Sequence, residues 1–166
     1  MFTETGMGGS LAHPHFFLLF VLLVSAAAIT DLRERRIPND LVAAIFFLAL
    51  LRHLDQGGGL AGLLPSPGHA FTFVLIAAAL LFLFARGMLG GGDVKMLAAC
   101  ALYIGSDSQC VFFLLVALFG GLLAAGYLSI RSMQVVELTA PVSLPYGVAI
   151  ASAGIAVASG NLSWML

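Results

Sequence analysis

The chain has 166 residues, 61% of them hydrophobic and only 9% charged, with a formal net charge of −1. A soluble domain carries about 25% charged residues; at a mean hydropathy of +1.08 this chain reads instead as a polytopic membrane protein, one domain over residues 1–166. The seven basic residues form no nucleic-acid-binding stripe, and Cys100 and Cys110 lie outside any CxxC pattern, which argues against a zinc or redox motif.

Residues 1–15 contain Glu4 but no Lys or Arg. A signal peptide needs a positive start, so the first apolar run is expected to be a retained helix, spanning 11–30. His13 and His15 flank Pro14, but two ligands fall short of the three or four a metal site needs, and no metal or cofactor is expected. Ser25, Ala26, Ala27 and Ala28 are small enough to admit a neighbouring helix. The most charged stretch follows: Asp31, Leu32, Arg33, Glu34, Arg35, Arg36, Ile37, Pro38, Asn39, Asp40. Pro38 with Asn39 and Asp40 predicts a helix stop and the cap of the next helix.

A second span is predicted at 41–54, a Gly- and Pro-rich loop at 55–69 and a third span at 70–87. Then comes a break, Gly90, Gly91, Gly92, Asp93, Val94, Lys95. The fourth span, 94–105, is only about 18 Å long as a helix, so it crosses only if the layer thins around it. After a polar turn at 107–109, the fifth span at 111–130 carries Gly120, Gly121, Ala124 and Ala125, two interleaved pairs suited to helix packing. A loop at 131–139 leads to the sixth span, 140–158, which holds Pro145 and Gly147. The expected fold is all-α with about six transmembrane helices.

Six spans put Arg33, Arg35, Arg36, Arg86, Lys95 and Arg131 on one side and only Arg52 on the other, out of seven basic residues. The positive-inside rule makes the first side cytoplasmic, with both termini outside. Asp31 and Asp93 then share the cytoplasmic boundary, each at a helix end.

An ionisable residue in a membrane segment costs about 2.5–3.5 kcal/mol on insertion scales and so marks function by default. Facing carboxylates can share one proton: the ionised one activates water and the protonated one polarises a peptide carbonyl. The structural alternative is that Asp31 pairs with Arg33, Arg35 or Arg36, while Asp93 caps a helix or pairs with Lys95. A non-enzymatic membrane component, a small transporter or a pilus or secretion assembly factor, is the rival function; a transporter would place charges near the midplane in repeated broken helices, and no second break matches 90–92.

The sequence Asp31 followed by Arg36-Ile37-Pro38-Asn39, then Gly90-Gly91-Gly92-Asp93-Val94-Lys95, resembles the two active-site motifs of the type IV prepilin peptidases. Pro145-Tyr146-Gly147-Val148-Ala149 resembles a third block in their last helix. The GxGD element is shared with presenilins and signal peptide peptidases; its combination with D-x4-R-I-P-N is the specific part. The resemblance implies an intramembrane aspartyl protease of the bacterial inner membrane. Its active site would face the cytoplasm and remove the short basic leader from pilin-like precursors. By carry-over Asp31 and Asp93 are the catalytic pair, Lys95 and Arg36 supporting charges, and Pro38 and Asn39 shape the turn beside Gly90, Gly91 and Gly92. Glu34 is a candidate for reading the leader's charge. The tetra-cysteine insert of the bifunctional enzymes is absent between 30 and 41, so the chain resembles the short, peptidase-only form of Flp/Tad pilus systems, and no methyl transfer is expected. The implied partners are the precursor and the bilayer, with no nucleic acid; homo-oligomerisation is left open.

Overall fold

The computed structural model describes residues 14–55, 90–133 and 145–160, with isolated helical positions at 74, 78 and 85. Among these the chain is all-helical: α1 (Pro14–Glu34), α2 (Asn39–Asp55), α3 (Gly91–Ile104), a 3-10 turn (Ser106–Ser108), α4 (Gln109–Met133) and α5 (Tyr146–Ala158). The expected loop at 56–69 and third span at 70–87 lie outside the described residues, apart from those isolated positions, as do residues 134–144.

Each boundary has a local cause. α1 ends when Arg35 turns left-handed, at φ 54°, its N–H closing back on the Asp31 carbonyl at 3.0 Å. That conformation costs a non-glycine residue about 1–2 kcal/mol, and it stops the helix within one turn of Asp31. Pro38 cannot continue α1, but its carbonyl accepts the Val42 N–H at 3.4 Å and opens α2. α3 begins after Gly90 and stops at Gly105, whose φ of 85° suits glycine. α5 starts at Pro145, which lacks the N–H that a helix start would leave unpaired.

α1, α2, α3 and α5 form a closed ring of packed neighbours, and α4 packs on the outside, chiefly against α5. The core is filled by Phe20 and Val24 from α1, Ile45 from α2, Met96 and Cys100 from α3, Phe112 from α4 and Ile150 from α5. Small residues set the spacing. A Cβ on Gly154 would stand 3.2 Å from the Phe20 ring, and one on Gly120 3.1 Å from the Tyr146 ring. Gly121, in contrast, faces open space, so only one member of that glycine pair serves the α4–α5 contact.

Among the described residues, two helical stretches are long and apolar enough to cross a membrane: His15–Glu34, with hydropathy 2.1, and Gln109–Tyr127, with hydropathy 2.3. The outward face agrees with them. Leu18, Leu22, Phe47, Leu114 and Leu118 are each more than half exposed, an apolar girdle that lipid covers without penalty and water does not.

At the end of the bundle away from Asp31, Arg52 of α2 donates to the Tyr103 carbonyl in the last turn of α3. Its guanidinium lies 4.7 Å from the Tyr103 ring centroid, and that ring stacks on Phe20 at 3.9 Å. A cation here completes the carbonyl end of a short helix.

Candidate active site

Asp31 and Asp93 are the two buried charged residues among the described positions, 6% and 9% exposed. Asp31 stands in the last turn of α1 and Asp93 in the first turn of α3. Both lie at one end of the bundle, close enough for the charge of Asp31 to act on Asp93.

Each acid accepts a backbone N–H at the start of a helix. The Gly147 N–H of α5 donates to Asp31 Oδ2 at 2.8 Å. The Gly90 N–H donates to Asp93 Oδ2 at 3.1 Å, with Asp93 reaching back from the third residue of α3. Helix N-termini carry partial positive charge and exposed donors, so both favour a carboxylate. Asp31 also lies within electrostatic reach of the Arg35 guanidinium. Asp93 precedes the apolar stretch 94–104. Burial and the neighbouring Asp31 charge push its carboxyl up to about 6, against the Gly90 N–H, which lowers it.

The approach of α5 requires glycine: a Cβ on Gly147 would lie 2.8 Å from Asp31 Oδ2 and 3.0 Å from its Cβ. On Gly92 a Cβ would meet the Ile37 Cβ at 3.2 Å, and on Gly90 the Asp93 Oδ2 at 2.9 Å. The Gly92–Ile37 contact joins the glycine break to the α1–α2 turn. A side-chain bond does the same: Lys95 Nζ donates to Asn39 Oδ1 at 3.1 Å.

The structure therefore gathers Asp31, Asp93, Gly90, Gly92, Ile37, Asn39 and Lys95 in one place, with Pro38 in the turn between α1 and α2. Gly91, Arg36 and Glu34 are exposed around it. Asp93 is not the first cap of α3, since Gly90 occupies that position, and Lys95 turns to Asn39. Gly147 belongs to the late Pro-Tyr-Gly block, but the sequence alone gave it no role. Its signal is a proline-led helix start with glycine two residues on, which presents a bare N–H to an anion.

The two buried acids come from helices far apart in the chain, and each accepts an N–H from the start of a helix. The type IV leader peptidase family matches residues 17–125, and the chain belongs to that family. It is also similar to the prepilin leader peptidase/N-methyltransferase of Bacillus subtilis (strain 168), with 31% identity over 115 residues, covering 65% of this chain and 42% of that protein. The chain thus matches less than half the length of this curated relative. No solved structure matches.

Proposed function

We propose that this protein is an intramembrane aspartyl endopeptidase that removes the basic leader from a pilin-like precursor at the cytoplasmic face of a bacterial inner membrane. The observation that carries the reading is the pairing of Asp31 with Asp93, each nearly buried and each held by a helix-terminal N–H. Family membership supports the class of substrate.

In this mechanism Asp31 holds the negative charge, supported by the Gly147 N–H and Arg35, and Asp93 holds the proton. Asp31 takes a proton from water as its oxygen attacks the scissile carbonyl carbon. Asp93 protonates the carbonyl oxygen, giving a neutral tetrahedral diol. Collapse breaks the C–N bond, the amine leaves with a proton from Asp31, and the diol returns its proton to Asp93. The site needs water, which suits acids near the end of the bundle.

Six spans, with 31–40 and the glycine break facing the cytoplasm, are part of the same proposal, as is proteolysis without methyl transfer. Between α1 and α2 stand only residues 35–38, too few to build a pocket for S-adenosylmethionine. The test is cleavage of a co-expressed precursor, read as a size shift. Asp31→Asn and Asp93→Asn keep shape but lose proton exchange, and each is expected to abolish cleavage at normal protein levels. Processing retained by either variant refutes the assignment.

A further inference from the structure

We infer that the groove between α4 and α5 receives the apolar segment of the precursor, on the opposite side of the scissile bond from its basic leader; this rests on the peptidase reading above. The groove has a volume of about 680 Å³, within the roughly 300–1,000 Å³ usual for ligand clefts. Its walls are Phe119, Leu122 and Gly126 from α4 and Val148 and Ala149 from α5, with Arg35 also lining it.

Two observations connect it to the acids. Val148 and Ala149 directly follow Gly147, the residue bonded to Asp31. Arg35 lines the groove and also acts electrostatically on Asp31. A chain lying in the groove therefore runs past the dyad. The apolar lining gives a leader bearing Lys or Arg no counter-charge. The apolar segment is left to the groove, where a small residue, Gly126, permits close packing of a helix in lipid.

Gly126 and Gly121 provide a matched test. A Cβ at either meets nothing within 4 Å, so both tolerate a side chain, yet only Gly126 lines the groove. For cleavage of a purified pilin-like precursor in proteoliposomes, Gly126→Leu is expected to raise KM about tenfold, the scale of one misfitting apolar group, with kcat within twofold. Gly121→Leu is expected to change neither. A photo-crosslinking residue at Leu122 in the Asp93→Asn background is expected to label the precursor's apolar segment; the same residue at Leu114, on the lipid face farther along α4, is not.

Unchanged KM in Gly126→Leu, or labelling of lipid alone from Leu122, overturns the groove assignment, and labelling of the leader overturns the orientation. The two readings fail separately. A wild-type chain that leaves the precursor uncut while Leu122 still labels its apolar segment removes the peptidase reading and keeps the groove. A chain that cuts normally with no labelling and no KM effect removes the groove and keeps the peptidase.

Discussion

Gly147→Ala is the most informative single change, because it adds one methyl group next to an acid without altering charge. The new Cβ would stand 2.8 Å from Asp31 Oδ2, 3.0 Å from its Cβ and 3.1 Å from its Cγ. The three contacts fall on one short, buried side chain, so rotating a flexible tip gives no relief. Restoring ordinary contact requires about 0.6 Å of movement, and the Gly147 N–H bond, now 2.8 Å, stretches out of good range. A hydrogen bond to a charged group contributes about 1.5–3 kcal/mol, and about 1.4 kcal/mol is tenfold in rate, so kcat is expected to fall about 10- to 100-fold. The assay is precursor cleavage by purified, reconstituted protein, with Gly154→Ala as the comparison. Gly154 also faces a tight contact, but against the far edge of the Phe20 ring, 3.2 Å away, where only packing is at stake. Cleavage by Gly147→Ala within twofold of wild type, or an equal loss in both variants, refutes the positioning role.

Other outcomes follow from the same geometry. With Asp93 raised to about 6, the singly protonated pair is depleted as pH rises through that value. The rate of precursor cleavage is therefore expected to fall toward tenfold per pH unit above about 7, and a rate flat from pH 6 to 9 would contradict this. Arg52→Met removes the donor to the Tyr103 carbonyl and the cation over its ring; about 1.5 kcal/mol or more is expected to be lost, which lowers Tm by about 5 °C in detergent-solubilised protein, and an unchanged Tm argues against the anchor. A reporter inserted at 57–68 is expected outside the cytoplasm and one at 134–138 inside it; a reversed signal from either overturns the six-span topology.

The described helices and the burial of both acids at helix ends were legible because the sequence states them strongly. In a chain with 9% charged residues, an Asp at the mouth of an apolar run stands out, and apolar runs bounded by Pro and Gly give helices. What the sequence left open was direction. Lys95 lies two residues after Asp93, and side chains two apart on a helix do not face each other; that is why Lys95 reaches Asn39 instead of the neighbouring acid. Gly120 and Gly121 look equivalent as small residues, but one helical step turns the first toward Tyr146 and the second to open space. Gly147 was hidden for a different reason. Its contribution is a backbone N–H and the absence of a Cβ, and only the partner, Asp31, 116 residues away in sequence, gives that absence a meaning.

Helix length bears on the depth at which the proposed chemistry takes place. α3 has 14 residues and is therefore about 21 Å long, against a hydrocarbon layer of about 30 Å. Its C-terminal end is fixed by Arg52, and a guanidinium belongs at an interface, not in hydrocarbon. In the proposed six-span topology that interface is the outer one, so α3 reaches the cytoplasmic boundary only where the layer thins by about 9 Å around it. Asp93 sits there, and Gly147 and Asp31 meet it at the same level. A precursor with a basic leader and an apolar segment has its own preferred depth: the charges stay among the headgroups and the apolar part sinks. In the proposed reading the bond between them comes to rest at the interface, at the level of the acids. In the proposed reading the short α3 sets the height of the acids in the membrane, and Arg52, at its other end, helps to fix that height.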